Sequence, residues 1–356
     1  MRADCAARGE DYASIFYGTK SGLERDILAR SPIALRTIPS RPLRRRLSPD
    51  LALTLGANAL GIARAASELR AFGPDVVVAT GGYVCFPVVV AARTRRKVAL
   101  ALLEENAYPG LTNKLLAPLV DEVWGATWTQ PAAFKRRFVT TGIPVRTEFK
   151  APPPRPRARE RLGIEPHARV VLVMGGSQGA RSINEATSAL VTQRELPRDW
   201  WILHVCGARD YEHVRLAQRE RKAHNRVTLV PYLDDPVPAY AAADLVVARA
   251  GASTLAELAV ARRASLLIPY PYASDDHQTA NARVFQEAGA ARLLFDAELG
   301  GDVLWWALEE AFRAGTGAME QAAASLAPAD AAAMIVRRVN LLRQGGRTRA
   351  DEERGS

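Results

Sequence analysis

The stretch RVVLVMGGSQGARSIN, residues 169–184, decides the fold of this chain. Its apolar run predicts a buried strand, its glycines predict a tight turn, and a helical pattern follows. A strand that enters a helix through such a turn exposes backbone N–H groups, which can bind an anion. A tight turn without a ligand would give the same pattern. Because the spacing is not G-x-G-x-x-G, dinucleotide binding is not specifically indicated.

The same strand–turn–helix pattern recurs on both sides of this stretch. G-G-Y at residues 81–83 follows the apolar run 76–80, and G-A-S-T-L-A-E at residues 251–257 follows the run 245–248. Strands that alternate with helices form parallel sheets with helices on both faces. An α/β fold is therefore predicted, and further strands are predicted at 13–17, 97–103, 122–126, 201–205, 227–230 and 265–268.

The segment APPPRPRAR, residues 151–159, is rich in proline and arginine, which is typical of a boundary between domains. We therefore predict two Rossmann-like domains with a cleft between them, over residues 1–146 and 147–342. Ligands of such folds bind at the carboxyl ends of the strands. The last helix is expected to pack back on the N-terminal domain, and residues 343–356 are expected to form a disordered tail.

Composition limits the function classes. The 356 residues carry a formal net charge of +10, which favours anionic partners such as phosphorylated substrates, acidic lipid or nucleic acid. The three cysteines form no C-x-x-C pair, so neither a zinc knuckle nor a disulfide framework is indicated. The longest uncharged stretch, 76–92, is shorter than the roughly 20 residues that a membrane-spanning helix needs. Residues 1–11 lack the apolar region of a signal peptide.

The turn at residues 251–257 offers the chemistry of a nucleotide site. Residues 251–254 would open a helix whose free N–H groups and dipole favour a diphosphate. A carboxylate further along the helix, at Glu257, can accept hydrogen bonds from two ribose hydroxyls. A capped helix with an acidic first turn would show the same residues without binding a ligand.

Other polar residues could complete a site. D-D-H-Q at residues 275–278 offers a carboxamide and an imidazole, which suit sugar hydroxyls, and no metal site is predicted because adjacent residues seldom converge on one ion. Arg146 could reach a phosphate or could be a solvated boundary residue. The pair Glu104–Glu105 could serve in acid–base chemistry or could cap the next element, and Glu104 is the one weak catalytic candidate.

Taken together, these motifs resemble the MurG family of peptidoglycan glycosyltransferases over about residues 13–342. The resemblance implies the two-domain GT-B architecture, with the donor nucleotide in the C-terminal half. It also implies transfer of N-acetylglucosamine from UDP-GlcNAc to undecaprenyl-pyrophosphoryl-MurNAc-pentapeptide, which converts lipid I to lipid II. The matching segments are YGTKSGLE at 17–24, ATGGYV at 79–84, EENAYPGLTNKLLA at 104–117, TGIPVR at 141–146, GGSQGARSIN at 175–184, YLDD at 232–235, RAGASTLAEL at 249–258 and HQTANA at 277–282.

The resemblance also implies roles for individual residues. Leu233 would contact uracil through its backbone, Glu257 would hold the ribose, and Gln278 would read the sugar hydroxyls with help from its neighbours. The substrate-binding positions would be Asn106, Arg146, Ser177, Leu233, Ala252, Ser253, Thr254, Leu255, Ala256, Glu257, His277, Gln278 and Asn281. The acceptor side would consist of Gly81, Gly82, Tyr83, Gly175, Gly176, Gln178 and Gly179.

The chain departs from the family pattern at its start. The family's first strand and its G-G-T-G-G-H loop, whose His is a favoured catalytic candidate, have no counterpart, and residues 2–11 resemble the end of the following helix. We therefore expect a first strand and most of a first helix to be missing, through a wrong start codon or truncation rather than divergence into an inactive homologue. Leu103 and Phe86 stand where the family usually has His and Gly.

The implied reaction is an inverting transfer in which the C4 hydroxyl of MurNAc attacks the anomeric carbon and UDP leaves, without metal or cofactor. The expected partners are UDP-GlcNAc, lipid I and an anionic membrane surface, with cell-wall synthesis or division proteins as further partners and no nucleic acid. The N-terminal half would lie peripherally on the cytoplasmic membrane face, through Arg41, Leu43, Arg44, Arg45, Arg46 and Leu47, although these residues could simply form a solvated loop. The alternatives are transfer to another lipid acceptor and a non-catalytic UDP-sugar-binding homologue.

Overall fold

The computed structural model describes residues 1–19, 28, 32–42, 51–95, 97–129, 132, 134, 137–176, 179–220 and 226–352. The chain divides into two compact units. The N-terminal unit contains residues 1–105 and 109–141 together with the chain from Asp330 onward, and the C-terminal unit contains residues 106–108 and 142–329. The division therefore falls after residue 141, a few residues before the boundary predicted after residue 146. The assignment of the short segment 106–108 to the C-terminal unit had no signal in the sequence.

The N-terminal unit is built from parallel strands and helices. Strands β1 and β2 pair with each other, and β3, β4, β5 and β6 form a second sheet in that order. All of these pairings are parallel. The elements in chain order are α1 (Arg2–Ala7), β1 (Ile15–Gly18), β2 (Ala34–Thr37), α2 (Leu51–Phe72), β3 (Val76–Ala79), α3 (Cys85–Arg93), β4 (Ala99–Glu104), α4 (Leu111–Leu116), β5 (Glu122–Gly125) and β6 (Phe138–Thr140).

Strand β4 lies at the centre of this unit's core. All six of its residues are buried, which explains why ALALLE is almost continuously apolar rather than alternating. Leu100 and Leu102 of this strand belong to one hydrophobic cluster with Leu69 of α2 and Val89 of α3. The cluster fixes the position at which β4 ends, and the polar residues that follow the strand are therefore held at a defined edge.

The C-terminal unit contains one six-stranded parallel sheet in the order β12, β11, β10, β7, β8, β9. The elements are α5 (Arg155–Arg161), β7 (Arg169–Met174), α6 (Arg181–Gln193), β8 (Trp200–Val205), α7 (Tyr211–Glu220), β9 (Val227–Val230), α8 (Val237–Ala242), β10 (Leu245–Ala248), α9 (Ala252–Ala261), β11 (Ala264–Leu267), α10 (His277–Glu287), β12 (Ala291–Leu293), α11 (Gly301–Ala314) and α12 (Gly317–Leu326).

The strand order of this sheet reverses between β7 and β10. The chain leaves β7 towards β8 on one side, whereas β10 pairs with β7 on the other side. The loops that follow these two strands therefore run in opposite directions and leave a crevice at the carboxyl edge of the sheet. The two longest glycine motifs of the sequence, at residues 175–181 and 251–257, lie at this switch point.

The final helix, α13 (Ala331–Glu352), belongs to the N-terminal unit. Arg343 donates to the Glu10 carboxylate over 2.8 Å, and Asn340 donates to Asp4 over 3.0 Å. The hydrogen bond from Arg343 lowers the pKa of Glu10 to about 2. The expectation of a disordered tail from residue 343 differs from the structure, because the helix continues through residues 343–352.

Most strands lie where the apolar runs predicted them, and those at 227–230 and 245–248 have the same bounds. Three short strands, β2, β6 and β12, were missed. Residues 20–27, 29–31 and 43–50, which include part of the matching segment at 17–24, lie outside the described residues. Within the described ranges, none of the helices combines the length and hydropathy that a membrane-spanning segment needs.

Candidate functional site

The glycine turn after β7 is shaped by close backbone approaches. A Cβ atom on Gly179 would lie 2.3 Å from the carbonyl oxygen of Cys206, and one on Gly175 would lie 2.2 Å from the nitrogen of Ala180. Gly176 and Gly179 also have positive φ angles, of 84° and 77°. Only glycine fits such positions without strain. Ser177 and Gln178, which the sequence places in the same turn, lie outside the described residues.

The turn after β10 opens helix α9 directly. Gly251 is the N-cap residue with extended backbone angles, and its carbonyl accepts the first helical hydrogen bond, from Leu255 N–H at 3.0 Å. The N–H groups of residues 252–254 therefore precede the intrahelical ladder and point out of the helix end. Together with the helix dipole they favour a negatively charged group. Ser253 is exposed and Thr254 is half-buried, so the helix end is accessible.

Leu255 and Ala256, which were expected to bind the substrate, have side chains that face the core of the C-terminal unit. Both side chains are fully buried. The N–H group of Leu255 is already bonded to Gly251. These two residues therefore anchor α9 against the core, and ligand contact stays a prediction for residues 252–254.

Glu257 lies on the next turn of α9 and is half-buried. Its Oε2 atom accepts a hydrogen bond from the hydroxyl of Tyr240 over 2.9 Å. Burial raises the pKa of Glu257, while the hydrogen bond from Tyr240 and the positive charge of Arg146 oppose this rise. The carboxylate therefore lies beside the helix end and close to a cation, as the sequence predicted for a ribose-binding residue.

Arg146 connects Glu257 with the YLDD segment. Its guanidinium donates to the carbonyl oxygen of Asp234 over 2.5 Å. Leu233 is half-buried in the same segment, and the neighbouring Tyr232 is exposed. Leu233 and Glu257, which the family resemblance assigns to the nucleoside, thus belong with Arg146 to one connected region of the C-terminal unit.

Gln278 and His277 begin helix α10. The Oε1 atom of Gln278 accepts a hydrogen bond from the backbone N–H of Tyr270 over 2.9 Å, which fixes the orientation of its carboxamide. Both side chains are half-buried. Their placement at a helix start after β11 agrees with the expectation that they lie at the carboxyl edge of the sheet.

Asn281 differs from the expectation that it reads sugar hydroxyls. Its side chain is fully buried. Its Oδ1 accepts from the N–H of Ala107 over 2.7 Å, and its Nδ2 donates to Asn106 Oδ1 and to Ala250 O, each over 3.1 Å. Because the amide is committed within the protein, Asn281 positions Asn106 and the turn before α9 instead of contacting a ligand.

Arg249 is a site residue that the sequence analysis did not single out. Its guanidinium forms an ion pair with Asp296 and donates to Ser182 Oγ over 2.9 Å. It also donates to the carbonyl oxygens of Ile268 and Pro269. One arginine in the turn after β10 therefore contacts the start of α6, the loop after β11 and the segment after β12. The signal that could have indicated it is a charged residue that directly follows a buried strand and precedes a glycine turn.

In the N-terminal unit, the predicted acceptor-side glycines form a tight turn after β3. Gly81 and Gly82 have φ angles of 93° and 79°. The hydroxyl of Ser40 donates to the carbonyl oxygen of Tyr83 over 2.9 Å, which holds the end of the turn. The structure thus confirms the turn at 81–83, while its contact with an acceptor stays a prediction.

Glu104, the weak catalytic candidate, is a structural residue in this fold. It is 1% exposed at the end of β4. Its Oε2 accepts from Asn113 Nδ2 over 2.7 Å and from the N–H of Gly110 over 3.3 Å. The carboxylate therefore braces the loop between β4 and α4, which argues against a role as general base. The pKa of the neighbouring Glu105 is raised by burial and by the charge of Glu104.

Two other expectations can be placed on the structure. Among the described residues, no cluster of three or more His, Cys, Asp and Glu side chains could hold a metal ion. Arg41 exchanges two hydrogen bonds with the side chain of Asn58 through its backbone. The remaining residues of the expected membrane-binding segment, Leu43, Arg44, Arg45, Arg46 and Leu47, lie outside the described ranges.

Comparison with known proteins agrees with this geometry. Residues 7–124 match the glycosyltransferase family 28 N-terminal domain, and residues 170–335 match the family 28 C-terminal domain. The UDP-N-acetylglucosamine–N-acetylmuramyl-(pentapeptide) pyrophosphoryl-undecaprenol N-acetylglucosamine transferase of Desulforudis audaxviator is 40% identical, over 83% of this chain and 81% of its own. The enzyme of the same name from Moorella thermoacetica is 40% identical, over 88% and 86%.

A solved structure supports the same conclusion. The crystal structure of Acinetobacter baumannii MurG superposes with a TM-score of 0.72 and 26% sequence identity, and the match covers 96% of this chain and 93% of that one. The parallel sheets covered by helices, the glycine turns and the two family 28 domains all agree with this likeness. The chain therefore belongs to the MurG family of glycosyltransferases, with the two-domain GT-B architecture.

Proposed function

We propose that this chain transfers N-acetylglucosamine from UDP-GlcNAc to undecaprenyl-pyrophosphoryl-MurNAc-pentapeptide, which converts lipid I to lipid II in peptidoglycan synthesis. The names of relatives that are 40% identical support the reaction. The observation that carries the proposal is local: the open N-terminus of α9 and the Glu257 carboxylate lie side by side at the switch point of the C-terminal sheet. This pair suits a nucleoside diphosphate.

The donor is held by three kinds of contact. The N–H groups of residues 252–254 bind the diphosphate, since the helix end offers unpaired donors and a positive dipole. Glu257 lies four residues beyond Ser253, about one helical turn or 6 Å along the axis, and accepts hydrogen bonds from the ribose hydroxyls. The backbone of Leu233 contacts the uracil ring, and Arg146 adds positive charge beside Glu257.

The sugar is read at the start of α10. Gln278 and His277 offer donors and acceptors that suit the hydroxyls of N-acetylglucosamine. Arg249 keeps this region in register with the diphosphate turn, because it bonds to Pro269 on one side and to Ser182 on the other. Asn281 stabilises the same arrangement, because its side chain donates hydrogen bonds to Asn106 and to the carbonyl oxygen of Ala250.

The reaction is a displacement with inversion at the anomeric carbon. The C4 hydroxyl of MurNAc forms a bond to that carbon, the bond to the diphosphate oxygen breaks, and UDP leaves. The end of α9 stabilises the negative charge that develops on the leaving diphosphate. The hydroxyl proton passes to a base other than Glu104, whose carboxylate is held by Asn113 and Gly110.

The acceptor is a lipid, so the enzyme works at a membrane surface. The net charge of +10 favours an anionic surface. We propose peripheral binding at the cytoplasmic face, where the basic segment that begins at Arg41 would contact lipid headgroups. The glycine turn at 81–83 would face the acceptor pyrophosphate.

The test is a transfer assay with the full chain, radiolabelled UDP-GlcNAc and a short-chain lipid I analogue in detergent. We expect label to move to the lipid, with much less transfer from UDP-glucose. A parallel reaction with diacylglycerol tests the rival acceptor class. Binding of UDP-GlcNAc without any transfer would contradict the proposal and indicate a non-catalytic donor-binding homologue.

A further inference from the structure

The buried hydroxyl of Tyr240 is a feature of the donor region that none of the expected site residues explains. Tyr240 lies on α8 and is 1% exposed. Its hydroxyl donates to Oε2 of Glu257 over 2.9 Å. Among the described residues, it is the one hydrogen-bond partner of that carboxylate. Burying a hydroxyl costs free energy unless the group is hydrogen-bonded, and here the hydrogen bond goes to Glu257. The function of this pair is therefore of interest.

We propose that Tyr240 is a positioning residue for the sugar-nucleotide donor, because it holds one oxygen of Glu257 so that the carboxylate faces the ribose hydroxyls. The inference rests on the proposed role of Glu257 in donor binding. It adds a residue that touches no part of the donor itself and acts through Glu257.

An aromatic contact fixes the ring of Tyr240. Phe149, on the 3₁₀ helix Thr147–Lys150, packs edge-on against the ring with 5.2 Å between centroids and 72° between planes. Helix α8 begins at Val237, whose N–H donates to Asp235 of the YLDD segment over 3.1 Å. The segment that would meet uracil therefore leads directly into the helix that orients Glu257. Contact with the base and orientation of the ribose acceptor are mechanically connected.

The hydroxyl of Tyr240 also affects the pKa of Glu257. Burial raises the pKa of Glu257, and the hydrogen bond from Tyr240 and the charge of Arg146 lower it. The pKa of Tyr240 itself is raised well above its usual value by burial and by the charge of Glu257, so its hydroxyl remains a donor. Loss of that hydroxyl should therefore raise the pKa of Glu257, and a protonated carboxyl is a poorer acceptor for ribose.

Other charged groups near α9 do not act on Glu257. On the 3₁₀ helix, Glu148 and Lys150 are exposed. On α12, which also packs on α9, Glu320 is paired with Arg155 over 2.8 Å and faces Arg263 at 3.4 Å. His277 lies at the start of α10, which also packs on α9. The pH response of Glu257 is thus set by its burial, Tyr240 and Arg146.

The test is calorimetric titration of the full chain with UDP-GlcNAc from about pH 5 to about pH 8. This donor is suitable because its phosphates are both esterified and lack the ionisation near pH 6 of a terminal phosphate. The Tyr240→Phe variant keeps the ring and its packing on Phe149. We expect its affinity to lie below that of the wild type over the whole range, because the carboxylate is no longer held, with a loss of about threefold at about pH 8 that grows to roughly tenfold at about pH 5.5 as Glu257 protonates at a higher pH.

Two further variants define the outcome. Glu257→Gln should bind weakly with a flatter pH profile than the wild type, since it removes one titrating group. Tyr17→Phe in the N-terminal unit is the matched control, because its hydroxyl is buried and has no hydrogen-bond partner among the described residues. Its profile should match the wild type. In the transfer reaction, Tyr240→Phe should raise the KM for the donor and change kcat little.

The outcomes separate the inference from the proposed function. Wild-type affinity with a Tyr240→Phe profile that superimposes on it would overturn the inference and leave the proposed function intact. A pH dependence as steep in Glu257→Gln as in the wild type would also overturn it, since another group would then account for the whole response. Failure of the wild type to bind UDP-GlcNAc at any pH would overturn the proposed function and the inference with it.

Discussion

Glu104 in the N-terminal unit and Glu257 in the C-terminal unit differ in their burial and in their hydrogen-bond partners. Glu104, in the N-terminal unit, is 1% exposed and accepts hydrogen bonds from Asn113 and Gly110. Glu257, in the C-terminal unit, is half-buried and is held by Tyr240 beside an open helix end. Burial of a carboxylate by itself therefore does not mark a binding site. What matters is whether its capacity to accept hydrogen bonds is used within the protein.

Substitution of Glu104 should have the largest effect, and that effect should be on the free energy of unfolding. Glu104→Ala leaves the amide of Asn113 and the N–H of Gly110 without their acceptor inside the N-terminal unit. We expect a loss of about 4 kcal/mol in the free energy of unfolding, because two buried donors become unsatisfied. Urea denaturation measures it, and Glu185→Ala, at an exposed ion pair, is the control.

Donor binding should not follow this loss of stability. Below its unfolding transition, the Glu104→Ala variant should bind UDP-GlcNAc as the wild type does, since the proposed donor site lies in the C-terminal unit. A variant that unfolds like the wild type but transfers no sugar would contradict the structural role and return Glu104 to the list of catalytic residues.

Substitution of Glu257 should have the second largest effect, and that effect should be on the affinity for UDP-GlcNAc. Glu257→Gln removes a charged acceptor for two ribose hydroxyls, at an expected cost of about 3 kcal/mol or roughly 100-fold in affinity for UDP-GlcNAc. The midpoint of thermal unfolding should change little, because the Tyr240 hydroxyl can still donate to the amide oxygen. Calorimetry and a thermal melt on the same sample separate the two quantities. A marked fall in the melting temperature together with the loss of affinity would mean that Glu257, like Glu104, mainly stabilises the fold.

Asn281 sharpens the comparison, since it combines full burial with a position inside the donor region. Asn281→Ala removes the bonds to Ala107, Asn106 and Ala250. We expect a loss of about 2 kcal/mol in unfolding free energy and a smaller loss of donor affinity, because the turn before α9 becomes less well fixed. Asn106→Ala is the paired variant, and it should affect stability less. A donor affinity that falls without any loss of stability would mean that Asn281 contacts the sugar after all.

Much of the fold could be predicted from the sequence because the strands of both sheets are buried and strongly apolar. The runs at 227–230 and 245–248 have the bounds that their residues indicated. The α/β class, the two-domain architecture and the family are confirmed. Strands β2, β6 and β12 were missed because each has only three or four residues, and two of them carry an arginine. Such short segments have no clear period.

The turns of the candidate site could be predicted where a motif required a particular backbone, but the surroundings of its polar side chains could not. The glycine turns that contain Gly81, Gly82, Gly175, Gly176 and Gly179 could be predicted directly, since close approach and positive φ favour glycine. Glu104 and Asn281 could not be assigned from sequence, because a polar residue looks the same whether it faces a ligand or a neighbouring loop. Tyr240 and Arg249 lie in Ala-rich and apolar stretches, and only their partners across the fold reveal what they hold.

The most direct test of the account is one paired titration of UDP-GlcNAc into Glu257→Gln and Glu104→Gln at about pH 7.5, both below their unfolding transitions. The account predicts that Glu257→Gln binds roughly 100-fold more weakly than the wild type, while Glu104→Gln binds equally well. Wild-type affinity in Glu257→Gln, or an equal loss in both variants, would contradict the assignment of the donor site to the C-terminal unit with Glu257 as its ribose-binding residue.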